Sequence, residues 1–484
     1  MHTPCFPAFR SRLASLGRRT TQPLRQATLG QLQEHLRQLL PAPLLSATEE
    51  GANSRDRVFN LRLTFECFVW QMLKPQTSCR EVVRQVQAFL GLHRRVPLDE
   101  GNSAYIQARQ RLPRERLEKA LIATAQAAEG RAGSGGQLNG RPVKVIDGST
   151  TQLPDTPQNQ KAYPQPGSQK PGCGFPVMKL AVLFSLAGGA VLNVILDSLR
   201  HHDLRLFRQL WRCLKTGDIV LADRAYGEYA TLAALPRQQV DVVARLHQRR
   251  RVDFRQARRL GRYDGLFTWK KGSEQSELFT ANEWSQLPGQ ITVRLVRFTA
   301  AIRGFRARRV TLVTTLLDPA AYPAHSLAAL YARRWRLELC LRDLKTTMGM
   351  EALRCQSPAM AQKEVLAYLI AHNLMRCVMS EAAARHDAPL ERISFKGAVD
   401  ALRQYSAAIA QARKGKMRRQ LWENLLSNLA RDLVPLRPNR REPRALKHRL
   451  KPYPLLNQPR RRFVEISHRS RYWKGRPRNY RGLI

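Results

Sequence analysis

Four residues with a regular spacing carry the strongest chemical signal in this sequence. Tyr331, Arg334, Glu338 and Lys345 follow the pattern Tyr-x2-Arg-x3-Glu-x6-Lys. At about 100° per residue, a helix would place these four side chains within an arc of roughly 60°. The guanidinium and the ammonium can bind phosphate oxygens, and the carboxylate among them can hold a metal ion. This set predicts the cutting or joining of DNA, whereas the pattern taken alone is also compatible with a solvated, charged helix face.

Two aspartates follow short apolar runs that are typical of buried strands. Asp147 comes after Val143–Ile146, and Asp223 comes after Ile219–Ala222, so each strand is predicted to end at its aspartate. Two such carboxylates can meet at one edge of a sheet, and Glu338 can complete a site with three acids. Carboxylate oxygens suit Mg²⁺, and two ions about 3.5 to 4 Å apart can activate an attacking oxygen and stabilise a leaving oxygen. Taken singly, each aspartate is more typical of a turn, an ion pair or a helix N-cap.

The charge balance indicates a polyanionic partner. Lys and Arg total 82 against 37 Asp and Glu, which gives a formal net charge of +45 and a pI near 11.2. Backbone phosphates neutralise such a charge with release of counterions, so nucleic acid is the expected ligand and an anionic membrane is the weaker alternative. No apolar run approaches the ~20 residues that span a bilayer, and residues 1–12 lack an apolar signal region. We expect the protein to stay in a nucleic-acid-containing, cytoplasmic compartment and to have no membrane partner.

The cysteine spacing and the chain length limit which metal sites and how many domains are possible. None of the eight cysteines forms a Cys-x2-Cys pair, so no metal is assigned to them. With 43% hydrophobic residues in 484, the chain can bury large cores and is predicted to divide into two to four domains.

Apolar residues at spacings of three and four predict a helical N-terminal part. The predicted helices are Leu29–Leu40, Val58–Leu73, Ser78–Leu92 and Asn102–Ala123, with a break near Pro113 and with Thr28 and Ser78 as N-caps. Residues 1–130 are interpreted as a helical DNA-binding domain. A glycine-rich junction follows, after which the pattern changes to strands at Val177–Leu186 and Ala190–Leu196, joined by a turn at Ala187–Gly189. Residues 203–214 are predicted to be helical.

Taken together, the three acid motifs resemble those of bacterial DDE transposases of the insertion-sequence-four family, which carry the YREK signature. The matching residues are Asp147-Gly148-Ser149, Asp223-Arg224-Ala225-Tyr226, and the set from Tyr331 to Lys345. The resemblance implies an α/β fold, with a ribonuclease-H-like catalytic core over 140–375 and a β-rich insertion at about 244–309. It places the first acid on the first strand, the second beyond the fourth strand and the third on a long helix. Within the insertion, Glu277–Thr280 and Ile291–Phe298 are predicted strands.

The resemblance also implies a reaction, its cofactors and its partners. The reaction is cut-and-paste DNA transposition by metal-dependent phosphodiester hydrolysis and strand transfer. Asp147, Asp223 and Glu338 would bind two Mg²⁺ ions, with Mn²⁺ as a substitute, while Tyr331, Arg334 and Lys345 would hold phosphates. The implied partners are double-stranded DNA, as transposon terminal inverted repeats and as target DNA, and a second copy of the chain in a synaptic homodimer. Trp269 and Trp284 are candidates for stacking on a flipped base, a role left unassigned.

The C-terminal part is predicted to be helical and then strongly basic. An apolar helix is expected at Lys363–Met379, and a helical C-terminal region is expected over 376–434. Residues 435–484 contain sixteen Lys and Arg against two Glu. This composition favours a flexible tail that binds the DNA backbone, and a solvated tail without a partner is the alternative.

Two other functions compete with transposition. One is an inactive or domesticated DNA-binding protein, or a nuclease, on the same fold. The other is a basic RNA-binding or chromosomal protein, which is disfavoured because it has no need of three acids so placed and because no RNP or KH signature is present.

Overall fold

The computed structural model describes residues 40–46, 57–93, 100–276, 278–300, 308–412, 415–435, 458–459 and 462–463. The predicted cap Thr28 and, except for Leu40, the predicted helix Leu29–Leu40 lie outside these residues, as does nearly all of the basic tail 435–484. In the part of the chain that the structure describes, no helix is long and apolar enough to cross a membrane.

The helices of the first third confirm the periodicity of the sequence. They are α1 (Leu61–Leu73), α2 (Cys79–His93), α3 (Ser103–Arg111) and α4 (Arg114–Arg131). The Ser78 hydroxyl accepts a hydrogen bond from the Glu81 amide at 3.1 Å, which confirms Ser78 as an N-cap. Pro113 separates α3 from α4, as predicted, because proline can precede a helix but interrupts one from within.

Later helices lie on both faces of the sheet. They are α5 (Pro157–Ala162), α6 (Asp203–Leu210), α7 (Tyr229–Ala234), α8 (Ala281–Ser285), α9 (Ala324–Arg333), α10 (Trp335–Arg342), α11 (Pro358–Arg385), α12 (Phe395–Gln411) and α13 (Gly415–Arg431). The helix α11 contains the predicted apolar segment Lys363–Met379. Most of its residues are buried, which explains why its sequence is apolar on all sides.

One mixed sheet forms the centre of the molecule. Its strands are β1 (Gln137–Leu138), β2 (Arg141–Gln152), β3 (Val177–Ser185), β4 (Val191–Ser198), β5 (Ile219–Ala222), β6 (Asp241–Arg245), β7 (Arg258–Gly261), β8 (Asp264–Lys270), β9 (Gln290–Ala300) and β10 (Arg308–Thr314). Their order across the sheet is β4-β3-β2-β5-β6-β10-β9-β8-β7, and β1 pairs with β2. β2 with β5, and β5 with β6, are parallel pairs, and the other pairs are antiparallel.

The two faces of the sheet bury separate cores. Val143 and Val145 point into the core shared with α4, α10 and α11, whereas Ile146 points into the core shared with α6 and α7. This alternation follows from the two-residue period of a strand. The helix α11 is fixed to the sheet edge by Asn373, whose amide oxygen accepts from the Val191 amide at 2.7 Å and whose amide nitrogen donates to the Val191 carbonyl at 2.8 Å.

Two sequence predictions about strands are wrong. Asp147 does not end its strand, because β2 continues to Gln152 beside its antiparallel partner β3. Residues 278–280 form a turn that leads into α8 rather than a strand. Thr280 and Glu283 form a reciprocal capping box at the start of this helix, a local signal that outweighs the apolar residues before it.

The β-rich segment extends the central sheet. Ala244 lies within β6 and Arg309 lies within β10, so the predicted bounds of 244 and 309 fall inside strands. The strand β9 contains the predicted segment Ile291–Phe298, and β10 joins it to β6. The turn predicted at Ala187–Gly189 is confirmed between β3 and β4, with Gly189 at a positive φ of 68°.

A buried ion pair joins this segment to the chain that leads into α9. The Arg294 side chain is fully buried, and its guanidinium donates to both Asp264 carboxylate oxygens at 2.8 and 2.5 Å. The same guanidinium donates to the carbonyl of Tyr322 at 2.7 Å and, more weakly, to that of Asp318 at 3.3 Å. One side chain therefore connects β8 and β9 with the loop before α9.

Replacing Arg294 by Met should strongly destabilise the fold. The change leaves the Asp264 carboxylate buried without its partner, which typically costs about 3 to 5 kcal/mol in the free energy of unfolding. Urea unfolding followed by tryptophan fluorescence measures this loss. The exposed pair Arg255–Asp253 provides the control. Arg255→Met should leave the unfolding midpoint nearly unchanged, and equal losses in both variants would contradict a special role of the buried pair.

Candidate active site

Two of the predicted acids meet at one edge of the sheet. The parallel pairing of β2 with β5 ends at the pair Val145 and Leu221, and Asp147 and Asp223 each lie two residues further along. Because side chains alternate, both aspartates point to the sheet face that carries Val145 and Leu221. The strand β5 ends at Ala222, so Asp223 leaves the sheet there as predicted.

The signature residues occupy a helical segment with two irregularities. Tyr331 lies in α9, Arg334 forms the junction between α9 and α10, and Glu338 lies in α10. Lys345 lies beyond α10 in a π-helical turn, Asp343–Thr347. The prediction of one regular helix through all four residues is therefore wrong, because the junction and the wider π turn change the helical phase.

Arg334 brings the acids and the helix together. One guanidinium nitrogen lies 3.9 Å from an Asp147 oxygen, and another lies 3.3 Å from a Glu338 oxygen. The guanidinium carbon also lies 5.8 Å from the centre of the Tyr331 ring. Like charges at the sheet edge repel one another, and a single cation between the carboxylates reduces this repulsion.

The pKa shifts of the site have identifiable causes. Burial raises the pKa of Asp147; Arg334 and the Gly148 amide oppose this shift, whereas Asp223 and Glu338 add to it. Burial lowers the pKa of Arg334, but its anionic neighbours outweigh burial, and the net shift is upward. Burial also raises the pKa of Tyr331, so this hydroxyl stays protonated near neutral pH.

The site is less closely assembled than the signature suggests. Among the described residues, no three His, Cys, Asp or Glu side chains are grouped as metal ligands. Within the same residues, no hydrogen bond or ion pair links the Lys345 ammonium to Tyr331, Arg334 or the acids. Tyr331, Arg334, Glu338 and the two aspartates thus share one region, and among the described residues Lys345 makes no ion pair with the acids of that region.

Sequence reasoning missed Arg245, which lies at the same edge. Ala222 and Ala244 are paired on the parallel strands β5 and β6, so Asp223 and Arg245 are the next residues on adjacent strands. Arg245 is close enough to Tyr331 to oppose the upward shift of its pKa. A partial signal was available, since Arg245 directly follows an apolar run, Val242–Ala244, like those before the two aspartates.

The two tryptophans named as stacking candidates both pack against neighbouring side chains. Trp269 is covered by the Arg250 guanidinium, whose carbon lies 4.0 Å from the ring centre. Trp284 packs near Phe279, with ring centres 6.4 Å apart. Trp335, between Arg334 and Glu338 in sequence, is instead 63% exposed.

The chain is similar to known transposases. Residues 138–374 match the family model described as "Transposase DDE domain". The Escherichia coli (strain K12) protein "Transposase InsG for insertion sequence element IS4" is 25% identical over 405 residues, which cover 83% of this chain and 88% of that protein. A piggyBac transposase structure, a synaptic complex with hairpin DNA, has a TM-score of 0.40 and 11% identity over 84% of each chain.

The fold, the ordered acids and the family match define a DDE transposase, an enzyme of DNA transposition. More particularly, over most of its length the chain is similar to a transposase of an insertion-sequence-four element, the similarity that its motifs indicated.

Glu228 is a further, partly buried carboxyl near the second acid. It precedes α7, and its carboxylate accepts a hydrogen bond from the Thr231 hydroxyl at 3.3 Å. Burial raises its pKa from 4.5 to about 7, and the Thr231 hydrogen bond only partly opposes this shift. The folded protein therefore binds this proton more tightly than the unfolded chain does.

Glu228→Gln should flatten the pH dependence of stability. With a raised folded-state pKa, the contribution of Glu228 to stability is present below about pH 4.5 and is lost as the pH rises towards about 7. At 1.36 kcal/mol per pKa unit, the loss is on the order of 3 kcal/mol. Urea unfolding between pH 4.5 and pH 8 tests this, with the exposed Glu274→Gln as control. An unchanged slope in Glu228→Gln would show that the carboxyl ionises freely.

Proposed function

We propose that this transposase excises and inserts DNA by cut-and-paste, through metal-dependent hydrolysis and strand transfer at one active site. The observation that carries the proposal is the placement of Asp147 and Asp223 on one face of one sheet edge, with Arg334 between Asp147 and Glu338. Hydrolysis and strand transfer are both attacks of an oxygen on a phosphodiester, so one set of groups can serve both steps.

A ribonuclease-H-like core is the fold that best fits this placement. The strands β4-β3-β2-β5-β6 form a mixed half-sheet in which an antiparallel meander is followed by two parallel strands. In this interpretation, Asp147 lies on the first strand of the core and Asp223 follows the fourth. A helical DNA-binding unit over 1–130, a helical region over 376–434 and a basic DNA-binding tail over 435–484 complete the proposed organisation.

The acids fit Mg²⁺ by the chemistry of their donors. All three are carboxylates, the ligands that this ion prefers, and their side chains are only partly buried. Asp147, Asp223 and Glu338 would hold the proposed two Mg²⁺ ions, or Mn²⁺ in their place. When bound, these ions supply Lewis acidity for the attacking and leaving oxygens.

The cations and the phenol beside the acids would hold the DNA strand. Arg334 can form two parallel hydrogen bonds to a phosphate, and Arg245 lies next to Asp223 on the neighbouring strand. Tyr331 would act as a neutral donor because its hydroxyl remains protonated. Lys345, in the π-helical turn, would contact a further phosphate as a point charge.

The proposed partners are two transposon ends with their terminal inverted repeats, a target duplex and a second copy of this chain. The charge of +45 favours association with chromosomal DNA, so we place the protein at the cytoplasmic nucleoid. A homodimer would bring two ends to two active sites.

Glu338→Ala should abolish cleavage without weakening DNA binding. The change removes a proposed metal ligand and no phosphate donor, so binding of an end duplex should stay within about twofold while cleavage falls by a factor of at least about 10³. Gel-based cleavage of a labelled duplex in Mg²⁺, with binding measured in Ca²⁺, tests this. If wild-type protein binds the end tightly but does not cleave it, the inactive or domesticated alternative would replace the proposal.

Arg334→Ala should weaken both end binding and strand transfer. The loss of a charge-assisted phosphate contact is expected to cost about 1.5 to 3 kcal/mol in binding, which is roughly a tenfold to hundredfold change in the dissociation constant. Arg336→Ala is the matched control, since Arg336 lies in the same helix but pairs with Glu391 at 3.5 Å. Equal effects of the two changes would mean that only the total charge matters.

A further inference from the structure

The segment that follows the π-helical turn joins three parts of the molecule. We call residues 349–355 the connecting segment, and they lie between the π-helical turn and α11. Gly349 opens this segment with a positive φ of 86°, which lets the chain turn back on itself. The Glu351 amide then donates to the Lys345 carbonyl at 3.2 Å. The backbone of Lys345 is therefore held directly by the connecting segment.

The connecting segment also pairs with the strand of the first acid. The Gln152 amide donates to the Glu351 carbonyl at 3.0 Å, and the Leu353 amide donates to the Gln152 carbonyl at 2.8 Å. Gln152 is the last residue of β2, the strand that contains Asp147. The connecting segment thus links the strand of Asp147 to the turn of Lys345.

The N-terminal helices α1 to α3 hold the far end of the connecting segment. The Arg354 guanidinium donates to the carbonyl of Thr77, which lies between α1 and α2, at 3.0 Å. Arg109, in α3, donates from one guanidinium nitrogen to the Cys355 sulfur at 2.9 Å and from the other to the Cys79 sulfur at 3.1 Å. One arginine therefore joins α2 and α3 to the end of the segment.

Arg109 is fixed in this place by burial and by several contacts. Its side chain is 8% exposed, and its guanidinium carbon lies 4.4 Å from the centre of the Phe68 ring. A buried charge needs polar partners, and the two sulfurs supply them together with the Gln71 amide oxygen at 3.4 Å. Because any movement of Arg109 breaks these contacts together, its side chain couples the place of the N-terminal helices to that of the connecting segment.

We propose that Arg109 is a positioning residue for Lys345. It acts through the connecting segment and aligns the Lys345 ammonium, and the strand of Asp147, with DNA that the N-terminal helices hold. In the described part of the chain Lys345 forms no ion pair with the acids, so the hydrogen bonds of its backbone matter for where the ammonium lies. The inference rests on the proposed function, in which Lys345 contacts a phosphate.

Hydrogen exchange in the free protein tests the structural link without DNA. In Arg109→Met, peptides that cover residues 343–353 should exchange about tenfold faster than in wild type, because the connecting segment has lost its anchor. Peptides from β8 and β9 should exchange as in wild type. Arg114→Met is the matched control, since Arg114 joins α4 to α11 through Gln362 at 2.6 Å and does not contact the connecting segment.

Two results of the exchange experiment would overturn the inference. One is a wild-type rate over residues 343–353, and the other is an equal acceleration in β8 and β9, which would mean that the whole fold is destabilised. If Arg109→Met does not fold, Cys355→Ala takes its place, because this change removes only the sulfur that Arg109 binds at the end of the segment. It should produce the same local acceleration, and its absence would again contradict the link.

Binding of an end duplex in Ca²⁺ tests the functional link through a double-mutant cycle. Lys345→Ala alone should weaken binding about tenfold, since it removes a charged phosphate contact. In the Arg109→Met background the same change should have an effect within about twofold, because the ammonium is already displaced. In the Arg114→Met background Lys345→Ala should keep its full effect.

A full tenfold effect of Lys345→Ala in the Arg109→Met background would show that the two residues act independently. If Lys345→Ala binds the end like wild type, the phosphate role of Lys345 in the proposed function fails. That failure is separate, because the exchange experiment alone then confirms or overturns the link from Arg109 to the turn of Lys345.

Discussion

The site depends on the parallel register between β2 and β5. This pairing stops after Val145 and Leu221, and the two strands then behave differently. β2 continues along β3, whereas β5 ends and releases Asp223 into a turn. Both aspartates come two residues after the pair Val145 and Leu221. They therefore lie at the same level along the strand direction and on the same face of the sheet. A shift of one residue in either strand would send one carboxylate to the opposite core.

The repulsion among the acids at this edge explains why the segment α9–α10 carries an arginine at its junction. Three carboxylates near one another are unfavourable, and burial raises the pKa of Asp147 further. Arg334 lowers this cost from the junction between α9 and α10, where it reaches Asp147 on one side and Glu338 on the other. The helix is in turn held by Arg294, which binds the Tyr322 carbonyl just before α9. The position of the third acid is thus linked to the β-rich segment through buried hydrogen bonds.

Local patterns in the sequence predicted much of this structure. They failed where contacts between distant parts of the chain determine where a strand ends or how a helix is wound. The apolar runs gave the strands before Asp147 and Asp223, and the turn at Ala187–Gly189 was clear from its glycines. The end of β2 could not be read locally, because it depends on how far β3 runs beside it. The π turn before Thr347 has no simple sequence signal, and it separates Lys345 from the other signature residues.

Sequence reasoning missed one residue of the site for a physical reason. Arg245 belongs to the site only through strand order, which brings β6 beside β5. Spacing along the chain finds residues that share one helix, as for Arg334 and Glu338. It does not find residues brought together from different elements unless the topology is already known.

The global charge and the local charge of this protein act in opposite directions. A net charge of +45 attracts duplex DNA from any side, but within about 8 Å, the Debye length at physiological salt, local groups dominate. There the acids repel the phosphate that is to be cut, and Arg334 and Arg245 can offset this repulsion. Capture of DNA and reaction at the phosphate therefore depend on only partly overlapping sets of residues. A chain can lose the second function and keep the first, which is why binding alone does not identify an active transposase.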